Sequence, residues 1–196
     1  MRDSHALYLC SMEFSLPPRG VELVLLTLVL AAALYDVRYR RIPNWLTAGS
    51  AGLGLALNAF LNQARAGMFK ASLIGFAAAF GIYLVLYALR AMGGGDVKLM
   101  AAIGAIVGWP NWFGIFLVTS ILGGIMAILL SLMRGRLMTT LFNVGFILHE
   151  MKSGRPAYVR KEELDVRSPK ATSLPHGAVI AIGTLFFLAL AGHFGH

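Results

Sequence analysis

Six apolar segments in this chain of 196 residues constrain its fold more than any other feature. A helix of about 20 apolar residues spans the hydrocarbon core of a bilayer, and three of the six segments have that length. Hydrophobic residues make up 58% of the chain and charged residues 13%, which is about half the charge of a soluble domain. The sequence therefore predicts an all-α, polytopic integral membrane protein with about six transmembrane helices. The segments lie at about 21–36, 45–62, 71–90, 97–109, 112–133 and 176–194.

The boundary between the fourth and fifth segments is the sequence Trp109-Pro110-Asn111-Trp112. Proline interrupts the hydrogen bonding of a helix, so we expect a tight connection at these four residues. The first and fourth segments are short, and short spans can lie deep in a helix bundle or cross where the bilayer is locally thinned. Tryptophan is enriched at membrane interfaces, and we expect Trp109 and Trp112 to be interfacial anchors.

The distribution of basic residues predicts how the helices are oriented. With the N-terminus outside, 13 of the 17 Lys and Arg residues fall in inner loops, which the positive-inside rule favours. We therefore predict a multi-pass membrane protein with both termini outside. Topology also accounts for the net charge of +8, so we expect lipid and not nucleic acid as a partner.

The chain divides into a short N-terminal arm, 1–20, and a single membrane-embedded domain, 21–196. Translation that starts at Met12 would shorten the arm. Within the domain, residues 134–175 form a predicted cytoplasmic loop. Apolar residues recur at helical spacing between Leu137 and Met151, which predicts a helix lying on the membrane surface. A single cysteine, Cys10, excludes an intramolecular disulfide and a cysteine-rich zinc site.

Two of the nine acidic residues, Asp36 and Asp96, stand at ends of apolar segments on the predicted cytoplasmic side. The other seven lie in the arm, at its junction with the first segment, or in the charged loop. An ionisable group at membrane depth is costly and is a functional candidate by default. The alternative is that each aspartate simply ends its helix at the headgroups. The triplet Gly93–Gly95 before Asp96 favours function, because glycines let another backbone pass closely.

Two carboxyl groups at one site can hydrolyse an amide without a covalent intermediate. Like charges close together cannot both ionise easily, so the pair shares a proton. The ionised partner takes a proton from water, and the protonated partner donates to the carbonyl oxygen. Because 60 positions separate the two aspartates, only helix packing can bring them together.

Three sequence blocks resemble the type IV prepilin leader peptidases, which are aspartyl proteases with a GxGD motif. Gly93-Gly94-Gly95-Asp96 matches that motif, and Asp36 followed by Arg41-Ile42-Pro43-Asn44 is similar to the region of the first aspartate. Met92 to Leu99 and the block from Leu174 to Gly183 resemble the short form found in Flp/Tad-type pilus systems. The resemblance covers about 21–194.

The resemblance implies an aspartic-type endopeptidase of the bacterial cytoplasmic (inner) membrane that removes a short basic leader from prepilins or pseudopilins at the cytoplasmic face. It implies Asp36 and Asp96 as the catalytic pair, with no cofactor and no metal. Pilus-assembly or secretion machinery is an implied partner. The residues implied to shape the loop or contact the substrate are Gly93, Gly95, Arg41, Pro43, Asn44 and Lys98.

Some features leave alternatives open. Longer family members have four zinc-binding cysteines, and many are methyltransferases. This chain has a single cysteine, so we predict neither zinc nor methyl transfer for it. Lys98 either favours the ionised form of Asp96 or, as we prefer, anchors its helix at the headgroups. We expect His176 to be interfacial. A transporter that carries protons or cations on the two aspartates and a non-catalytic assembly factor are the alternative functions.

Overall fold

The computed structural model describes residues 18–60, 67–90, 92–135, 137–152 and 176–194, all within or next to helices. The helices are α1 (Arg19–Tyr39), α2 (Asn44–Phe60), α3 (Met68–Ala88), α4 (Gly94–Met133), α5 (Leu137–Lys152) and α6 (His176–Phe194). Helices α1, α3 and α4 are long and apolar enough to cross a membrane, and α6 contains a shorter apolar stretch. The predicted all-α, polytopic membrane fold is confirmed.

Helix α4 is broken at Gly108, and its first half is the centre of the bundle. Every residue from 99 to 108 is buried, and α1, α2, α3 and α6 all contact α4. The predicted fourth segment is therefore short because protein, and not lipid, surrounds it. Buried helices need no lipid-facing stripe, which agrees with the continuous apolar character of this segment.

The break in α4 lies one residue before the predicted connection. Gly108 has φ 76° and ψ 171°, a backbone conformation that glycine reaches easily and other residues rarely adopt. Pro110 follows in the first turn of the second half, where its missing N–H is not needed. The prediction of a four-residue connection at 109–112 is thus wrong: a single glycine breaks the helix and these residues are helical.

Aromatic packing bears on the prediction that Trp109 and Trp112 are interfacial anchors. Trp112 is fully buried, and its ring stacks on Phe116 with the centroids 5.5 Å apart. Phe116 in turn meets Tyr83 of α3 edge-on. The expectation that Trp112 is an interfacial anchor is wrong, because its ring fills the core between helices. Trp109 is half-buried against the same cluster.

Glycines allow α3 and α4 to cross with their backbones in contact. A Cβ atom on Gly75 would lie 2.5 Å from the carbonyl oxygen of Gly104 and 2.8 Å from the backbone of Gly108. A Cβ on Gly104 would overlap the backbone of Gly75. Small residues are the usual means of close helix approach in a membrane, where dispersion contacts hold helices together.

A buried polar contact ties α2, α3 and α4 together next to this crossing. The side-chain amide of Asn58 donates to Ser72 Oγ at 2.8 Å and to the carbonyl oxygen of Ile106 at 2.9 Å. Buried amides are costly unless they are hydrogen-bonded, so this contact fixes the register of the three helices.

The predicted helix between Leu137 and Met151 is confirmed as α5. Ser131 and Thr140 are 2.6 Å apart and link it to α4, while Met138, Leu141 and Phe142 stay exposed. Its position on the membrane surface stays a prediction. Most of the predicted arm (1–17) and the remainder of the predicted loop (153–175) lie outside the described residues.

Candidate active site

Asp36 lies in the last turn of α1 and is buried, with 9% of its surface exposed. The helix ends because Arg40 adopts a left-handed conformation (φ 54°), and its N–H donates to the carbonyl oxygen of Asp36 at 2.9 Å. The chain then turns through residues 41–43 and enters α2. This turn places the segment after Asp36 beside the aspartate itself.

Asp96 is the third residue of α4 and is equally buried. Its Oδ2 accepts the N–H of Gly93 at 3.3 Å, while its own N–H donates to the carbonyl oxygen of Gly93 at 3.2 Å. An acidic residue is favoured at this position because the first N–H groups of a helix lack partners. Local capping therefore fixes the Asp96 carboxylate at the end of the central helix.

Helix packing brings the two aspartates to one cavity of about 540 Å³. They are close enough for their charges to interact. The cavity lies at the end of the bundle where α1 ends and α2 and α4 begin, as the predicted topology requires. Its lining residues are Asp36, Arg40, Arg41, Ile42, Pro43, Asn44, Gly93, Gly94, Gly95 and Asp96.

The glycine triplet packs closely against its neighbours. A Cβ on Gly93 would lie 3.3 Å from Oδ2 of Asp96. A side chain at position 93 would therefore crowd the carboxylate that accepts the N–H of Gly93. Cβ atoms on Gly94 and Gly95 would make contacts of nearly ordinary van der Waals length, at 3.4 Å from Tyr87 and 3.5 Å from Ile42. Of the three, Gly93 is the one that is tight against a predicted catalytic residue.

Lys98 contacts a residue of the cavity lining, Asn44. Its ammonium group donates to Oδ1 of Asn44 at 2.8 Å, in an exposed position. This contact joins the starts of α2 and α4. The side chain of Asn44 therefore receives a bond from Lys98, and the carbonyl oxygen of Pro43 accepts the first helical N–H of α2, from Thr47.

We expect Lys98→Ala to change the activity of this site by less than about tenfold, because an exposed hydrogen bond contributes only about 0.5–1.5 kcal/mol. Activity of membranes carrying equal amounts of the two proteins measures this. A loss as large as that of an aspartate variant would mean that the Lys98 charge serves Asp96 directly.

Two residues at the start of α6 belong to the site and were not predicted for it. The N–H of Gly177 donates to Oδ2 of Asp36 at 2.8 Å. His176 is half-buried and close enough to Asp96 for their charges to interact. The expectation that His176 is interfacial stays a prediction, and the structure adds that the residue lies near Asp96. Both residues lie in the third sequence block, 174–183, which was the signal that could have found them.

Within the described ranges, no three His, Cys, Asp or Glu side chains are grouped so that they could hold one metal ion. The site consists of two carboxylates, a glycine loop, two arginines and the first turn of α6. A pair of acidic groups in a solvent-accessible cavity at the end of a membrane bundle is suited to acid–base chemistry.

A model of the type IV leader peptidase family matches residues 23–128, which include both aspartates and the glycine triplet. The chain belongs to this family. Over 119 residues it is 35% identical to the prepilin leader peptidase/N-methyltransferase of Escherichia coli (strain K12). That alignment covers 58% of this chain and 52% of the relative, so the chain spans about half the length of the curated relative it matches. No solved structure matches the chain significantly.

Proposed function

We propose that this chain is a membrane-embedded aspartic endopeptidase that removes the short basic leader of type IV or Flp-type prepilins or pseudopilins. The supporting observation is that Asp36 and Asp96 line one cavity although 60 positions separate them. Membership of the leader peptidase family supports the same reaction. The proposal covers the peptidase step and does not include methyl transfer.

The chemistry needs only the two carboxyl groups and water. The ionised carboxylate takes a proton from water while the oxygen of that water bonds to the scissile carbonyl carbon. The protonated partner donates its proton to the carbonyl oxygen. The C–N bond then breaks as a proton passes to the leaving nitrogen, which becomes the new N-terminus of the pilin.

The surrounding residues have proposed supporting roles. Gly93 and Gly95 shape the loop that carries Asp96, and Pro43 and Asn44 shape the opposite wall of the cavity. Arg41 is exposed and lines the cavity, where its guanidinium can donate to main-chain carbonyl oxygens of the substrate.

The position of the aspartates distinguishes this proposal from ion transport. Asp36 is in the last turn of α1 and Asp96 is in the first turn of α4. Transport sites typically lie near the bilayer midplane, at unwound segments between repeats. Carboxylates at helix ends instead suit a substrate whose scissile bond lies just outside its apolar helix.

Orientation and partners complete the proposal. The excess of basic residues in the predicted inner loops supports a position of the two aspartates at the cytoplasmic face of a bacterial inner membrane, where a basic leader would be found. Residues 21–196 form one peptidase domain, and pilus-assembly or secretion machinery receives the product.

Co-expression with a Flp-type prepilin tests the proposed function. We expect a shorter pilin on a gel, with a new N-terminus directly before its apolar helix by mass spectrometry. Several prepilins left intact by well-inserted protein would contradict the proposal. Proton or cation flux into vesicles that depends on the aspartates would then favour the transporter.

A further inference from the structure

The first turn of α6 contacts the catalytic pair from a distant part of the chain. The N–H of Gly177 reaches Oδ2 of Asp36, 141 positions away, at 2.8 Å, and both residues are buried. This hydrogen bond holds one oxygen of the Asp36 carboxylate at the start of α6.

Asp36 needs such a donor because of its place in α1. The C-terminal turn of a helix carries a partial negative charge, which disfavours a carboxylate there. Burial adds the cost of removing that carboxylate from water. The first N–H groups of α6 have no partners within their own helix and carry the opposite partial charge. The start of α6 therefore offsets the unfavourable position of Asp36 at the end of α1.

Glycine at position 177 allows this approach. A Cβ atom there would lie 3.0 Å from Cβ and from Oδ2 of Asp36 and 3.1 Å from its Cγ. Contacts this short require a shift of a few tenths of an ångström, and the side chain that would shift is the proposed catalytic one. Asp96, in contrast, receives its main-chain donor from Gly93 in its own loop.

We propose that Gly177 is a positioning residue for Asp36. Its N–H fixes one carboxylate oxygen and the lack of a side chain lets α6 approach, so that the other oxygen is held at the cavity. The inference rests on the proposed function, because positioning has meaning only if Asp36 acts in the reaction. It adds α6 to a site that otherwise consists of α1, α2, α4 and the loop before α4.

Gly183, six residues further along α6, provides a matched control. A Cβ there would overlap Oγ1 of Thr119 and lie 2.9 Å from its Cα, so Gly183→Ala disturbs packing more severely but away from the aspartates. We would purify both variants in detergent and measure kcat and KM on a labelled prepilin peptide, together with the unfolding temperature and the folded fraction.

We expect Gly177→Ala to lower kcat by about 10–100-fold, with KM within about twofold, because small displacements of a reacting group cost rates of this order. Gly183→Ala is expected to lower the unfolding temperature while kcat per folded molecule stays at the wild-type value. The proposal is overturned if Gly177→Ala retains wild-type kcat, or if its loss of activity merely follows its folded fraction.

A disulfide tests the contact without relying on activity. In a Cys10→Ser background, oxidation should crosslink Asp36→Cys to Gly177→Cys, because their Cβ atoms are close enough to bridge after a small adjustment. The pair Asp36→Cys and Gly183→Cys should stay reduced, since six helical residues separate the sites by about 9 Å. Mass spectrometry of the tryptic peptides measures both.

The two experiments separate the two proposals. No crosslink at 177, or equal crosslinking at 177 and 183, overturns the positioning role whatever the activity. Cleavage by the wild type without an effect of Gly177→Ala overturns the positioning role alone. Failure of the wild type to cleave overturns the proposed function and the positioning role with it.

Discussion

Asp36→Asn and Asp96→Asn are each expected to lower the rate of leader removal by about 10²–10⁴-fold, the range typical of losing a general acid or base. Asparagine has the size of aspartate and keeps an oxygen that can accept the N–H of Gly177 or Gly93. The helices therefore stay packed. What is lost is the group that takes a proton from water or gives one to the carbonyl oxygen.

Co-expression with a prepilin, at equal membrane abundance of each variant, measures this effect. Glu22→Gln is the matched control, because Glu22 is a half-buried acidic residue in the first turn of α1 and does not line the cavity. It should cleave at the wild-type rate. The double variant Asp36→Asn/Asp96→Asn should be little worse than either single one, because residues that act as a unit are not additive.

If either aspartate variant cleaved at a near-normal rate, that aspartate would not be one of the two catalytic residues. The chain would still belong to the family. A loss that appears equally in Glu22→Gln would point to insertion or folding of α1 and not to chemistry.

Gly75→Ala and Gly104→Ala are expected to have the largest effects on stability. Each added Cβ would meet backbone atoms of the facing helix, at 2.5–2.8 Å for Gly75 and closer for Gly104. Backbone cannot rotate away as a flexible side chain can, so α3 and α4 must separate. Overpacking a core typically costs about 1–3 kcal/mol, and we expect these variants to reach or exceed the upper end.

The unfolding temperature and the monodisperse yield in detergent measure this effect. Gly81→Ala is the control, because Gly81 lies on α3 and a Cβ there meets nothing within 4 Å. That substitution should be neutral or slightly stabilising, since alanine is the better helix former. If Gly75→Ala behaved as Gly81→Ala does, the close crossing of α3 and α4 would be wrong.

Much of the fold follows from the apolar pattern. The apolar segments correspond to α1, α2, α3, the two halves of α4 and α6, and helical spacing located α5 within a polar region. The pattern could not place the break in α4, because the Trp-Pro-Asn-Trp sequence after it is the more obvious interruption. The break depends on the backbone of Gly108, and Pro110 is accommodated in the next turn.

The sequence also could not show which apolar side chains are buried between the helices. Tryptophan is enriched at membrane interfaces, yet the ring of Trp112 is fully buried against Phe116. In a membrane protein both the lipid-facing and the buried side chains are apolar, so hydrophobicity does not distinguish them.

The site could be predicted in part. Asp36 and Asp96 stand out because acidic residues are rare at membrane depth, and the packing does bring them to one cavity. Gly177 was marked only by its place in the third sequence block, 174–183, and its role could not be predicted, because its contribution is a main-chain N–H that comes from 141 positions away. Residue types reveal side-chain chemistry, whereas main-chain donors become visible only when the helices are packed.

The most direct test of the central proposal uses purified protein in lipid vesicles with one synthetic prepilin and no other component. We predict a single cleavage between the basic leader and the apolar segment, identified by mass spectrometry, with wild-type protein and none with Asp36→Asn. An intact prepilin with folded wild-type protein, or cleavage that persists in Asp36→Asn, would contradict the account of this chain as an aspartic leader peptidase.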